Sequence, residues 1–87
     1  MLFIVTMKWN VDKTPEVAKR AIEESTKKPP KGVKSTTYQL LGRCQALSIV
    51  EAPDEKAIAQ IHTPFMDVAE CDWAPAMLSD ELLKILS

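Results

Sequence analysis

The first nine residues, Met1-Leu2-Phe3-Ile4-Val5-Thr6-Met7-Lys8-Trp9, limit what this chain can fold into more than any other stretch. Met1 to Val5 are apolar without interruption. Side chains alternate along an extended strand, so Leu2 and Ile4 take one face while Phe3, Val5, Met7 and Trp9 take the other, and neither face suits water. The run therefore reads as a central strand covered on both sides. In a chain of 87 residues, helices can cover one face. The other calls for a second sheet, most simply a partner subunit's.

A chain this size makes one domain, residues 1–87, which buries only about 60 to 65% of its chain surface and is marginal alone. Self-association would stabilise it. With 46% hydrophobic and 26% charged residues, the composition is that of a soluble globular protein and excludes a disordered chain. A net charge of −1 argues against nucleic-acid binding, which needs a clustered basic surface. The charge is unevenly spread: residues 1–43 carry nine basic and four acidic side chains, residues 44–87 two basic and eight acidic. Either the two halves simply face solvent, or they complement each other across a subunit contact.

Cys44 and Cys71 form neither a disulfide framework nor a CxxC metal pair. Each falls inside an expected strand as a buried, reduced thiol, which predicts a cytoplasmic location. The apolar start is too short to span a membrane and lacks a basic lead and a cleavage site. No membrane partner is expected.

After the first strand, Asn10 to Lys13 reads as a loop. Thr14-Pro15-Glu16 then supplies a hydroxyl cap, a first-turn proline and an acid, and predicts a helix to about Lys28. Val17, Ala18, Ala21, Ile22 and Ser25 form its inner stripe, with Glu16/Arg20, Lys19/Glu23, Glu23/Lys27 and Glu24/Lys28 paired outside. Pro29-Pro30-Lys31-Gly32 stops it. Val33 to about Leu40 reads as strand 2, Leu41-Gly42-Arg43 as a hairpin turn, and Cys44 to Glu51 as a second central strand. Ala52-Pro53-Asp54-Glu55 opens helix 2, whose buried stripe is Ala57, Ile58, Ile61 and Phe65. Pro64 predicts an end near His62 or a kink with one further turn. Strand 4 spans about Ala69 to Ala76, and Pro75 makes it an edge strand or a strand end. Ser79-Asp80-Glu81 caps a tail helix carrying Leu82, Leu83, Ile85 and Leu86, which must dock on something.

The order βαββαβ plus a tail helix, with right-handed crossovers, predicts an α+β, ferredoxin-like fold with a four-stranded antiparallel sheet. Strands 1 and 3, the two most apolar, take its middle.

Read together, Met1-Leu2-Phe3-Ile4-Val5-Thr6, Lys28-Pro29-Pro30-Lys31-Gly32-Val33-Lys34, Leu41-Gly42-Arg43, Ile49-Val50-Glu51-Ala52 and the closing Pro75 before an acidic cap resemble a family of short prokaryotic domains of uncharacterised role in the dimeric α/β-barrel superfamily. The resemblance covers nearly the whole chain and rests on the order and spacing of its words. It implies two sheets packed face to face in a homodimer. It also implies kinship with cofactor-free monooxygenases, muconolactone-isomerase-like enzymes and ligand-sensing regulatory domains, in which a small ligand commonly sits between a sheet and its own helices. Relatives often carry a Tyr-His pair at the end of strand 2. This chain has Tyr38-Gln39 there, so any role resting on that histidine loses its base.

Among residues that could carry chemistry, His62 is the only histidine and lies at the edge of the helix 2 stripe, placed for proton transfer or for orienting a ligand. A lone histidine without companion ligands is a poor metal site, and more often a partly buried or solvent-edge residue. Trp9-Asn10 and Tyr38-Gln39, at the ends of strands 1 and 2, could form an aromatic wall with amide hydrogen-bonding groups; they also read as ordinary rim aromatics and a self-satisfied loop residue. The expected site is therefore His62, Tyr38 and Asn10 for catalysis, with Trp9, Gln39 and Phe65 for binding. No metal or cofactor is expected: Gly32 and Gly42 are the only glycines, too few for a phosphate cradle. The sequence leaves open whether the domain is an enzyme, of cofactor-free oxidation or isomerisation type, or a non-catalytic oligomeric structural or regulatory module.

Overall fold

The computed structural model describes all residues, 1–87. Its four strands, β1 (Leu2–Lys8), β2 (Lys34–Gln39), β3 (Gln45–Glu51) and β4 (Glu70–Ala76), form one sheet in the order β2-β3-β1-β4. Every neighbouring pair is antiparallel. The helices are α1 (Thr14–Ser25), α2 (Glu55–His62) and α3 (Ser79–Leu86). This is the ferredoxin-like βαββαβ arrangement with a C-terminal helix, and the two apolar strands, β1 and β3, take its centre as their sequences require.

The pairing divides the sheet cleanly into two faces. Phe3 lies opposite Val50 and Pro75, and Val5 opposite Ser48 and Trp73. These residues look toward the helices. Phe3 and Val5 join Val50, Ala52, Ala57 and Ile58 in the core, with Val33, Ile61 and Trp73 packed against its margin. One residue out of phase, Ile4 lies opposite Ile49 and Ala74, and Leu47 opposite Tyr38. That second face has no cover: Ile49 is 40% and Tyr38 52% exposed.

α2 packs as its sequence demands. The side chain of Asp54 accepts a hydrogen bond from the Ala57 amide at 3.0 Å, an N-cap that satisfies one of the helix's free donors. Pro64 ends the regular helix, and Thr63–Phe65 continues as one 3-10 turn that swings Phe65 into the core. At the β2–β3 hairpin, Gly42 takes φ +80°, the left-handed conformation the turn requires.

α1 departs from expectation. It ends at Ser25 rather than near Lys28, because the Ser25 and Thr26 hydroxyls donate to the carbonyls of Ile22 and Glu23, and the Thr26 and Lys27 amides bond three residues back. Thr14 is its first residue rather than its cap, and its hydroxyl accepts instead from the Trp9 indole at 3.0 Å. Of the expected inner stripe only Val17 is buried; Ile22 is 68% exposed. The physical reason lies beneath the helix, where β2 presents Ser35, Thr37 and Gln39 and offers no apolar partner. What fastens α1 is Arg20, which the sequence pairs only with Glu16. It also donates to the Pro64 carbonyl at 2.9 Å and forks onto the Asp67 carboxylate. That pairing holds Asp67 below the usual carboxylate range.

Every residue from 77 to 87 is exposed. α3 has no side-chain cap, since Ser79 is its first residue and Leu78 precedes it. The chain measures 48 × 30 × 18 Å with a radius of gyration of 14.2 Å, against about 12 Å for a compact domain of this length. No helix is long and apolar enough to cross a membrane.

Candidate functional site

Because β2 turns hydroxyls and an amide inward and α1 carries small residues there, sheet and helices do not close completely. A cavity of about 200 Å³ remains between them. Its apolar wall includes Val5, Met7, Val50, Ile61 and Phe65; its polar wall is Ser35, Thr37 and Gln39 of β2 with Ser48 of β3. The Thr37 and Ser48 hydroxyls satisfy one another at 2.8 Å. Glu24 of α1 is the only charged residue of the lining.

His62 belongs to this lining and is the only buried polar residue of the chain, 3% exposed. Its ring leans on Trp73 with centroids 5.2 Å apart and planes at 49°. Nδ1 is buried and has no hydrogen-bond partner within the protein, an arrangement that costs about 1–3 kcal/mol unless something else supplies the bond. Burial lowers the His62 pKa, and the charge of Asp72, on the opposite face of β4, only partly opposes this. The imidazole is therefore neutral at pH 7. A neutral imidazole in such a place can accept a hydrogen bond, or a proton, from a small molecule beside it.

Of the residues singled out in the sequence, the structure brings His62, Gln39 and Phe65 together around this cavity. Tyr38 is adjacent to Gln39 in β2, so it points to the uncovered face, opposite Leu47. Trp9 and Asn10 lie at the far end of β1, in a separate hollow of about 490 Å³ with Lys8, Lys13 and Met66 to Glu70. That hollow is larger, but most of its lining is exposed and it is a surface groove. Trp9-Asn10 and Tyr38-Gln39 thus do not make one wall. Sequence reasoning passed over Ser35, Thr37 and Ser48. Polar residues at every second position of β2 were the available signal for the first two. The Trp73–His62 contact had none.

Cys44 lies just before β3, its carbonyl accepting from the Trp9 amide, and Cys71 lies within β4; both thiols are free and half-buried. Burial raises the Cys71 pKa, which makes it a poor nucleophile. Nowhere do three His, Cys, Asp or Glu side chains converge as metal ligands would.

The sequence profile of a family described as a domain of unknown function, DUF3303, matches residues 1–87. The chain belongs to this family. A search of curated proteins found no match. The cavity of this DUF3303 domain combines an apolar wall, a row of hydroxyls and one neutral imidazole.

Proposed function

We propose that this DUF3303 domain binds a small, partly apolar molecule in the cavity between its sheet and helices, with His62 orienting it. The observation that carries this reading is the buried Nδ1 of His62 without a partner, in the lining of an unfilled space. A ligand hydroxyl would bond the His62 imidazole, whose Nδ1 meets the cavity once the ring turns. An apolar cavity of about 150 Å³ holds benzene, so the space here suits a single substituted ring. With Glu24 its only charged residue and no Lys or Arg, the cavity favours a neutral ligand over an anion. Should the domain catalyse a reaction, His62 is placed to take a proton from the bound molecule, a step common to cofactor-free oxygenation and isomerisation.

The reading includes a homodimer. The uncovered sheet face carries Ile4, Ile49, Leu47 and Tyr38 in its middle rows beside Thr6, Thr36 and Asp72, with Leu2 among Lys34 and Glu51 at one end and Lys8 and Glu70 at the other. A cluster of exposed large apolar side chains within a polar rim suits a subunit interface, and face-to-face packing of two sheets would give the barrel that the superfamily resemblance implies. Two free thiols fit a reducing cytoplasm. The second reading, an assembly module without a ligand, draws on the same bare face.

The test is a titration with 4-methylphenol, followed at the His62 ring by NMR, in the wild type and in Ala46→Leu, which fills the cavity from β3. A saturable shift in the wild type that Ala46→Leu abolishes supports ligand binding. No saturable shift at His62 with this or other neutral single-ring compounds leaves the assembly module.

A further inference from the structure

We infer that α3 is a dimerisation arm, which leaves its own subunit and packs against a second copy of this chain. The inference rests on the open-face dimer above and adds to it a second contact surface.

Area carries the argument. The chain exposes 6543 Å², whereas a compact monomer of 9.7 kDa exposes about 5,100 Å². The excess is therefore about 1,400 Å². Four strands at about 4.8 Å spacing and seven residues at about 3.4 Å rise give the sheet a flat footprint of about 450 Å², which the accessible surface of its side chains exceeds. A standard interface takes about 800 Å² from each partner. The open face accounts for part of the excess, and the segment after β4 lies outside it.

Much of the exposed apolar surface lies in the segment after β4. Met77, Leu78, Leu82, Leu83, Ile85 and Leu86 are all among the chain's exposed large hydrophobic residues, from 45% exposed at Leu82 to 72% at Leu86. An eight-residue helix with four large aliphatic side chains and no buried residue gains little from its own subunit, and helices this short are marginal in water unless packed. Met77 and Leu78 are its only connection to edge strand β4. Packed sheets lie about 10 Å apart, and a helix of eight residues is about 12 Å long. α3 can therefore cross from the margin of one sheet to the margin of its partner. Its first turn carries Asp80 and Glu81, and the exposed Lys28, Lys31 and Lys34 of a neighbouring copy offer the complementary charge.

The test combines sedimentation velocity with amine cross-linking of a mixture of unlabelled and ¹⁵N-labelled protein. Two results are expected. Lys84 gives cross-links that join labelled to unlabelled chains, and Leu82→Asp/Leu86→Asp weakens the wild-type dimer by about 100-fold. Circular dichroism of that variant keeps the strand signal, since no core residue lies in α3. A variant that dimerises as tightly as wild type overturns the arm and leaves the open-face dimer standing. Lys84 cross-links confined to single chains also overturn it, by placing α3 back on its own subunit. A wild type that stays monomeric at every concentration overturns the open-face dimer and the arm with it.

Discussion

The two faces of the sheet share the same strands, and each carries large apolar side chains, yet one is closed and the other bare. On the helix side Phe3 and Val50 are 0% and 1% exposed. One residue along each strand, Ile4 is only half-buried and Ile49 is 40% exposed. Apolar pattern therefore tells how many faces of a strand need cover, not where the cover comes from. This chain supplies α2 fully, α1 partly, and nothing for the second face.

The largest expected effect sharpens that contrast directly. Val50→Asp places a charge in the closed core and costs at least about 4 kcal/mol, enough to unfold a domain this small. Ile49→Asp, its neighbour on the open face, leaves the subunit's circular dichroism intact and splits the dimer. Measuring both by urea denaturation and sedimentation breaks the comparison if the two variants behave alike.

Truncation gives a smaller and graded version. Phe3→Ala lowers unfolding stability by about 3–5 kcal/mol, the cost of a large core cavity. Ile4→Ala, measured at concentrations where the protein is monomeric, costs about 1 kcal/mol or less. Equal losses would mean that the chain covers both faces itself.

Much of this architecture was legible in the sequence, and the exceptions have physical causes. The centrality of β1 and β3 followed from runs with no polar face, and the end of α2 from Pro64. The loose seating of α1 did not follow from its own stripe, because Val17, Ala18, Ala21 and Ile22 are periodic whatever lies beneath. The deciding residues were Ser35, Thr37 and Gln39, distant in sequence. The same holds for the site. His62 and Phe65 could be placed on one stripe, but the cavity is a difference between packed volumes that no local pattern encodes. Period-two alternation already separates Tyr38 from Gln39, so that part of the expected aromatic wall was excluded by the strand itself.

A pH experiment tests the closed side at its one buried polar residue. The unfolded imidazole takes a proton near pH 6.5, while burial keeps His62 neutral to lower pH. Below about pH 6.5 the unfolded state therefore binds more protons, and stability falls as pH drops, by at most about 1.4 kcal/mol per pH unit for one group. The slope flattens once folded His62 is protonated. His62→Gln removes this component below about pH 6.5; an unchanged slope would mean that His62 is not the buried base described here.

The smallest effect concerns α1. Arg20→Ala removes its tie to Asp67 and the Pro64 carbonyl. Amide exchange in α1 should quicken while the core strands keep their protection, since the tie lies at the surface. Uniform acceleration across the sheet would show α1 to be as integral to the closed face as α2.

Native mass spectrometry of freshly purified protein tests the central claim most directly, because one spectrum reports both the cover of the open face and the occupant of the cavity. The account predicts a dimer that carries a small additional mass, released when the protein is denatured. A bare monomer at all concentrations would contradict it, leaving an apolar sheet face that the protein holds in water without a partner.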